Sequence, residues 1–375
     1  MKTRAAVLYK MELPKPYAQS KPLVIEDLEL DGPGPGEVLV EVASAGLCHS
    51  DLSVINGSRP RVMPMVLGHE ACGIVRETGP SVSGLQPDDH VVFSFVPLCG
   101  RCLPCSTGRA SLCENGLRAN VAGTLLSGAR RFSTSGGQPL NHHVGVSGFS
   151  QYTVAAQESL LKIDQTFPLE KAALFGCAIL TGVGAIVNTA KVQAGASAAI
   201  FGLGGVGLSA VMGAKLAGAF PIVAVDILDD KLILAVQLGA THTVNAKRTN
   251  PVEAIKELTH GGAQYVIECS GNEAVGQQAF EATGRGGETV YVGLPHPNKR
   301  LALSPVTIVG EERTVKGSYM GSAVPSRDVP RFIELYRSGR LPIDALISKT
   351  IKFEELNTAF DTLDRGEAVR QILTF

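Results

Sequence analysis

The chain has 375 residues, more than one hydrophobic core usually organises, and this length predicts two domains. Apolar residues make up 45% of it and charged residues 18%, which is typical of a folded α/β protein and excludes a disordered chain. The 34 basic and 35 acidic side chains leave a formal net charge of −1 without a long Lys/Arg run, so neither nucleic acid nor a membrane surface is an expected partner.

The start of the chain and its cysteines indicate a compartment. The first residues, MKTRAAVLYK, lack the apolar stretch of a signal peptide, and no apolar run reaches the roughly 18 residues of a transmembrane helix. We therefore expect a cytoplasmic protein. Eight cysteines in such a chain indicate metal binding or catalysis rather than disulfides.

The predicted elements change character along the chain. Up to about residue 90, short β-rich runs alternate with turn residues, which predicts an irregular and largely antiparallel β region. Residues 94–150 are rich in Cys, Gly, Pro and Ser with little periodicity, so something other than a core must hold them. From about residue 179, apolar strands alternate with helices, and this alternation predicts a Rossmann-type α/β domain, a doubly wound parallel sheet covered by helices.

These changes predict one domain inserted within another. We expect a mainly antiparallel β-rich domain over residues 1–178, with a cysteine-rich lobe at 95–115, and an α/β domain over 179–320. The tail, 321–375, carries two helical stretches and a final short strand, QILTF. It is expected to return to the first domain.

A glycine-rich motif follows the first strand of the predicted inserted domain. It fits G-x-G-x-x-G between an apolar run and a helical pattern, and its members are Gly202, Leu203, Gly204, Gly205, Val206 and Gly207. Glycines there let a pyrophosphate approach the positive N-terminus of the helix. Asp226 follows a second apolar run, where an acid binds the adenosine ribose and repels a 2′-phosphate. A tight turn and a helix cap are the alternative, but strand, helix and acid in this order favour NAD.

Four cysteines lie close together in the predicted lobe. Cys99, Cys102, Cys105 and Cys113 form C-x2-C-x2-C-x7-C, and thiolates at this spacing can close around one Zn²⁺. A closed site leaves no position for substrate, so its role is structural. Unliganded thiols, a disulfide pair and an iron–sulfur cluster are the alternatives.

A second set of metal-ligand types is dispersed along the chain. Cys48 in GLCHSD, His69 in LGHE and Cys177 in GCAILTG provide two thiols and one imidazole, a combination that leaves a zinc ion with one open position. Spacing alone does not show that the three converge, and a lone buried cysteine is usually a packing residue.

The motifs GLCHSD, GHE, GCAILTG, GLGGVG and RQILTF, with the four cysteines between them, resemble those of the zinc-dependent medium-chain alcohol dehydrogenases, from end to end and in family order. The resemblance implies a GroES-like first domain and an NAD-linked enzyme that moves a hydride between an alcohol carbon and nicotinamide. It implies a catalytic zinc on Cys48, His69 and Cys177 and a structural zinc on the four cysteines of the lobe. The length from Cys113 to Cys177 is that of the long form, which implies a homodimer paired through the nucleotide domain.

The same resemblance implies roles beside the catalytic metal. Asp51 would orient the ligand His69, with helix capping as its alternative, and Glu70 would lie behind the zinc. Ser50 matches the hydroxyl that accepts the alcohol proton and passes it to the cofactor ribose, with a simple turn hydroxyl as the alternative. Many members then have a histidine where this chain has Ser53, which cannot act as a base near pH 7. The outer proton relay therefore departs from the family pattern.

Cofactor contacts are also implied by position. They are His49 and Arg370 at the pyrophosphate, Lys231 at the adenosine ribose, Val292 to Leu294 at the nicotinamide, and Thr181 elsewhere on the cofactor. His49 also stands among the implied catalytic residues.

The residues matched to the substrate channel are Phe95, His143, Leu294 and Tyr319, which imply a mostly apolar pocket for primary or aromatic alcohols. One branch of the family oxidises the glutathione adduct of formaldehyde with an acid and an arginine at the pocket mouth, where this chain has Arg59 and Leu117. A catalytically silent nucleotide-binding protein is a further alternative, against which the intact Cys48, His69 and Cys177 argue.

Overall fold

The computed structural model describes residues 1–375, which form two compact units. The first unit contains Met1–Cys177, Val324–Pro330 and Ile347–Phe375. The second unit contains Ala178–Ala323 and Arg331–Leu346. The sequence-based bounds place all of 321–375 in the first domain, whereas here 321–323 and 331–346 lie in the second unit.

The secondary structure mixes many short strands with short helices. The strands are β1 (Lys2–Leu8), β2 (Leu23–Leu30), β3 (Glu37–Gly46), β4 (Met65–Val66), β5 (Glu70–Thr78), β6 (His90–Phe93), β7 (Phe132–Ser133), β8 (Pro139–His142), β9 (Tyr152–Ala156), β10 (Leu160–Ile163), β11 (Ala198–Phe201), β12 (Ile222–Asp226), β13 (His242–Asn245), β14 (Ala263–Glu268), β15 (Thr283–Tyr291), β16 (Thr314–Gly317), β17 (Ile347–Ile351) and β18 (Arg370–Thr374). The helices are α1 (Tyr17–Ser20), α2 (His49–Ile55), α3 (Leu103–Ser106), α4 (Glu114–Ala122), α5 (Leu169–Ala172), α6 (Ala178–Gly184), α7 (Gly205–Ala217), α8 (Asp229–Leu238), α9 (Pro251–Leu258), α10 (Glu273–Glu281), α11 (Pro305–Gly310), α12 (Pro325–Arg337) and α13 (Leu356–Asp364).

The first unit is a barrel joined to a larger sheet. Strands β1, β2, β7, β8 and β4 close the barrel, and the sheet runs in the order β10, β6, β5, β3, β18 and β17, with β9 also paired to β3. All pairs of this unit are antiparallel except β4 with β8 and β17 with β18. This arrangement confirms the predicted, mainly antiparallel β-rich architecture.

The second unit is a six-stranded parallel sheet in the order β13, β12, β11, β14, β15 and β16. This is the doubly wound order, in which the first strand lies at the centre and later strands are added first on one side of it and then on the other. The four residues of β11, AAIF, are all buried, as expected for a central parallel strand covered on both faces. The short turn Ile343–Leu346 packs against α7, which explains why the segment 331–346 belongs to this unit. The predicted Rossmann-type architecture is confirmed.

None of the helices is by itself long and apolar enough to cross a membrane. Helix α5 continues as a 3-10 turn to Gly176, and α6 continues as a π-helical turn to Ala190. This bent pair reaches the required length and composition only when its two parts are taken together.

Candidate active site and metal centres

Strand pairing in the first unit brings the dispersed metal-ligand residues together. At the end of β3, Gly46 pairs with Glu70 at the start of β5, so Cys48 and His69 lie just beyond the two paired ends. Gly46 leaves space for the Glu70 side chain, since a Cβ there would lie 2.7 Å from Oε1. The turn before Cys177 passes close to β6, because a Cβ on Gly176 would lie 2.5 Å from the Phe93 carbonyl oxygen.

The result is a buried four-residue cluster. Ligand atoms of Cys48, His69, Glu70 and Cys177 all lie within 4.8 Å of one another. His69 Nε2 and both carboxylate oxygens of Glu70 are buried and accept or donate no hydrogen bond. Buried polar atoms are seldom left without a hydrogen-bond partner. Two thiols with an imidazole are ligands that zinc prefers. The cluster therefore fits a zinc ion, and Glu70 adds a carboxylate to the three ligands implied by resemblance.

Arg370 supplies positive charge to this cluster. Its Nη2 lies 3.8 Å from Cys48 Sγ and its Nε lies 3.6 Å from Glu70 Oε1. A hydrogen bond from Cys177, followed by the nearby guanidinium, holds the pKa of the Cys48 thiol well below its usual range despite burial. Burial raises the pKa of Glu70 to about 8, against the opposing effect of Arg370. A thiolate is the form that binds metal, so the charges prepare Cys48 as a ligand.

Asp51 contacts two imidazoles at once. Its Oδ1 lies 2.9 Å from His69 Nδ1 and 3.2 Å from His143 Nδ1, and all three side chains are buried. The carboxylate fixes the His69 ring so that Nε2 faces the cluster. The ring of Phe95 stands edge-on to His69 at 5.7 Å between centroids, and His143 does so at 5.6 Å. Phe95 and His143, both matched to the substrate channel, are therefore beside His69.

Helix α2 begins at the metal cluster. Cys48 is its N-cap, where its side chain and that of Asp51 form a reciprocal capping box with the backbone. His49 is exposed and Ser50 half-buried in the first turn. The Ser53 hydroxyl donates to the His49 carbonyl at 2.7 Å, so it bonds within its own helix turn.

The four cysteines of the lobe also converge. Their sulfur atoms lie within 4.8 Å of one another, and Cys113 Sγ accepts hydrogen bonds from the backbone N–H groups of Cys99 and Gly116. Although burial acts in the opposite direction, hydrogen bonds from the Arg101 and Cys102 backbone lower the pKa of Cys99 to about 6. Burial and then Cys102 raise the pKa of Cys105 to about 12. Four neighbouring thiols cannot all ionise unless a cation offsets their charge, so this set fits a divalent metal.

In the second unit, the glycine motif joins β11 to α7 as predicted. A Cβ on Gly207 would lie 1.9 Å from the Gly202 carbonyl oxygen, which requires glycine at this turn. Gly204 is the N-cap of α7 and provides no side-chain acceptor, so the first amides of the helix are available to an anion. Asp226 ends β12, and its Oδ2 accepts a hydrogen bond from Leu203 N at 2.7 Å. The acid therefore borders the glycine turn, as a ribose-binding residue must.

The remaining residues matched to cofactor and substrate in this unit are dispersed over it. Thr181 is buried in α6, Lys231 is half-buried in α8, and Val292 is buried just after β15. Leu294 is exposed and Tyr319 is half-buried. Their roles stay predictions.

Comparison with known proteins gives the family. The chain is 37% identical to S-(hydroxymethyl)glutathione dehydrogenase of Paracoccus denitrificans over 384 residues, covering all of both chains. A family model of the alcohol dehydrogenase GroES-like domain matches residues 34–165, and one of the zinc-binding dehydrogenases matches residues 205–338. The chain belongs to the zinc-dependent medium-chain alcohol dehydrogenases. The predicted family and enzyme class are confirmed.

Solved structures of this family superpose along the whole chain. The benzyl alcohol dehydrogenase of Acinetobacter calcoaceticus is 34% identical, with a TM-score of 0.93 over 100% of this chain and 99% of that one. An alcohol dehydrogenase zinc-binding domain protein of Burkholderia ambifaria is 36% identical, with a TM-score of 0.94 and the same coverage. These alcohol dehydrogenases share the fold that places the two metal clusters.

One residue of this alcohol dehydrogenase was missed by sequence reasoning. Glu268 is almost fully buried at the carboxyl end of β14, beside Val292 and Gly293. An acid at the end of an otherwise apolar strand, YVIE, followed by a Ser-Gly turn, is the signal that could have indicated it.

Proposed function

We propose that this enzyme oxidises primary or aromatic alcohols with NAD and reduces the corresponding aldehydes. The observation that carries the proposal is the buried cluster of Cys48, His69, Glu70 and Cys177, in which His69 Nε2 has no hydrogen-bond partner. A catalytically silent nucleotide-binding protein has no use for such a cluster.

Cys48, His69 and Cys177 would hold the catalytic zinc, with Glu70 close enough to become a further ligand. A bound zinc supplies Lewis acidity, which lowers the pKa of an alcohol toward neutrality. Asp51 orients His69, and Arg370 stabilises the Cys48 thiolate.

The proton leaves through the chain's own groups. Ser50, two residues after Cys48 in the first turn of α2, is proposed to accept it from the alcohol. Ser53 bonds to the His49 carbonyl and has no basic group, so this chain lacks a titratable exit at that position. Proton transfer beyond Ser50 is then through hydroxyl groups and water.

NAD is the proposed cofactor. The turn at Gly202 to Gly207 and the free N-terminus of α7 suit a pyrophosphate, and the Asp226 carboxylate disfavours a 2′-phosphate. The remaining cofactor contacts proposed are His49, Thr181, Lys231, Val292, Leu294 and Arg370.

The substrate class follows from the side chains beside His69. Phe95 and His143 present an aromatic edge and an imidazole there, and Leu294 and Tyr319 are proposed to line the rest of the channel. The similarity to a benzyl alcohol dehydrogenase supports an aromatic or medium-sized alcohol.

Oxidation of the glutathione adduct of formaldehyde is the second candidate. It is favoured by the 37% identity to S-(hydroxymethyl)glutathione dehydrogenase of Paracoccus denitrificans. The acid and the arginine that would hold the peptide are replaced by Arg59 and Leu117, and Leu117 is an exposed apolar residue. Reversal of the first charge and loss of the second argue against binding of the glutathione peptide.

A substrate panel distinguishes the two candidates. The zinc-loaded enzyme is given benzyl alcohol, a medium-chain primary alcohol, or formaldehyde with glutathione, each with NAD and with NADP, while nicotinamide reduction is followed by absorbance. We expect the highest kcat/KM with benzyl alcohol and NAD. A kcat/KM at least about tenfold higher for the glutathione adduct would assign the enzyme to the other branch. No reduction with any alcohol, by protein with full zinc content, would refute the proposal.

We further propose a cytoplasmic homodimer paired through the second unit. Strand β16 is an edge strand and carries Val315, which is 40% exposed; in α11, which precedes it in the chain, Val306 and Val309 are each 78% exposed. An unpaired strand edge and exposed apolar side chains are both typical of a subunit interface. A monomeric mass by light scattering would exclude the dimer.

The proposed cytoplasmic location is supported by the eight free cysteines, because the cytosol keeps thiols reduced.

A further inference from the structure

Glu268 closes a turn at the carboxyl end of β14. Its side chain is only 2% exposed. One carboxylate oxygen, Oε1, accepts hydrogen bonds from Ser270 N at 2.6 Å, Ser270 Oγ at 2.5 Å and Gly271 N at 3.0 Å. A carboxylate oxygen that accepts three hydrogen bonds from this turn holds it firmly in position.

The same residue also holds the segment after the neighbouring strand. Its backbone carbonyl accepts hydrogen bonds from Val292 N at 2.8 Å and from Gly293 N at 3.0 Å. Glu268 pairs with Tyr291 in the parallel register of β14 and β15, so the two strands end side by side. One residue therefore joins two turns at the edge of the sheet where ligands of this fold bind.

The two turns are in backbone contact. A Cβ on Gly293 would lie 2.1 Å from Gly271 N and 2.8 Å from Glu268 Oε2. Gly271 has φ +69°, and a Cβ there would lie 3.1 Å from the backbone of Leu294. With no side chain between them, a shift of the Ser270–Gly271 turn moves the segment 292–294 directly. The Ser270 backbone also lies against Gly202 of the glycine motif, since a Cβ on Gly202 would lie 2.9 Å from Ser270 N.

A cavity interrupts the packing of this region. It has a volume of about 200 Å³, lies against Glu268, Gly293 and Tyr291 and is bordered by Lys299 and Leu301. Because a cavity contributes no contacts on its side, the hydrogen bonds of Glu268 carry more of the work of holding the two turns in position.

We propose that Glu268 is a positioning residue for the nicotinamide ring. It acts by holding the segment 292–294 in the position that contact with the ring requires. The proposal rests on the proposed NAD-linked function, in which that segment contacts nicotinamide. Glu268 touches neither substrate nor metal in this role. In that function the segment 292–294 contacts the ring, whereas the pyrophosphate rests on the first amides of α7, to which Glu268 makes no hydrogen bond. Loss of the carboxylate is therefore expected to weaken binding of the whole cofactor more than binding of its ADP-ribose part.

The test compares NADH with ADP-ribose, which lacks only the nicotinamide ring, by titration of the zinc-loaded enzyme. Wild type is measured first, and failure to bind either molecule would refute the NAD-linked function rather than this proposal. Glu268→Ala is expected to raise the Kd for NADH about tenfold and to leave that for ADP-ribose within about twofold. Glu268→Gln keeps an acceptor oxygen without the charge and is expected to raise the Kd for NADH only about threefold.

The matched control is Glu273→Gln, which removes a nearby exposed carboxylate that pairs with Lys299 and should bind both molecules as wild type does. Equal weakening of NADH and ADP-ribose by Glu268→Ala would show a merely structural role and overturn the proposal, as would unchanged binding of NADH. If Glu268→Ala does not fold, the same comparison is made with Glu268→Gln, where equal Kd changes for the two molecules would overturn it.

Discussion

The two metal clusters of the first unit differ in how the chain builds them. The cysteines of the lobe lie within 99–113, three are partly exposed, and the neighbouring Leu103 and Leu112 are exposed as well, so no local core holds the segment. The corresponding residues of the other cluster, Cys48, His69 and Cys177, are buried and come from distant parts of the chain.

The dispersed cluster therefore depends on the fold of the first unit, whereas the cluster of the lobe stabilises the segment that carries it. Strand register fixes the dispersed cluster before a metal binds, since Gly46 pairs with Glu70 and Asp51 orients His69. The lobe has only its thiolates, so its metal must supply the folding free energy of the segment. Loss of metal should therefore abolish activity at one site and local structure at the other.

The largest expected effect comes from Cys48→Ala. Removing one thiolate ligand should lower kcat/KM about a thousandfold, because the Lewis acidity of the catalytic metal contributes several kcal/mol. Circular dichroism should stay unchanged, since the sheet fixes the cluster. The matched control is Cys72→Ala, which removes a buried thiol that bonds to the Leu169 carbonyl outside both clusters. Near-normal kcat/KM in Cys48→Ala would remove this cluster from the reaction.

Cys105→Ala should act on structure instead. We expect the melting temperature to fall by about 10 °C and limited proteolysis to cut within 95–115, because the lobe has no core without its metal. The active site should keep its zinc. Ser106→Ala, next in the chain, is the control. A melting temperature equal to that of wild type would show that the lobe does not depend on its cysteines.

Asp51→Asn tests how the fold prepares the dispersed cluster. The amide keeps the shape but removes the charge that orients His69, so the affinity for the catalytic zinc should fall about 10- to 100-fold. Zinc binding is measured by competition with a chromophoric chelator. Asp361→Asn, a buried aspartate that caps α1 through Tyr17 N and Ala18 N, is the control. Equal zinc affinity in Asp51→Asn and wild type would contradict the orienting role.

The smallest effect concerns His142, a buried imidazole outside both clusters. Burial, with Arg131 and Arg130, lowers its pKa to about 3, so it stays neutral in the folded protein while the unfolded chain binds a proton below about pH 6.5. Its contribution to stability is therefore present above pH 6.5 and is lost as the pH falls toward 3. From pH 7 to 5.5 it should cost about 1 kcal/mol.

His142→Gln should remove that part of the pH dependence, because an amide does not titrate in this range. The amide oxygen can still accept the hydrogen bond from Arg131 N in place of the ring. Denaturant unfolding at the two pH values measures the difference, with His242→Gln as the control. The same slope with pH in His142→Gln and wild type would show that this imidazole is not the titrating group.

The sequence predicted the parts of the site that are local. Cysteines spaced as at Cys99 to Cys113 can reach one ion whatever the rest of the chain does, and the glycine turn after β11 follows from the residues themselves. The convergence of Cys48 and Cys177 depends on strand register and on the path past β6, which no spacing contains. Only the resemblance to a family indicated it. The position of Glu268 could not be predicted from the sequence, because its hydrogen bonds join two turns that the pairing of β14 with β15 brings together.

The most direct test of the difference between the clusters is zinc content followed during chelation. We expect two zinc ions per chain. The first leaves quickly, with all activity, while circular dichroism and melting temperature stay nearly unchanged, and the second leaves only as the lobe unfolds. One zinc ion per chain in fully active protein, or two ions that leave together with the loss of structure, would contradict this expectation.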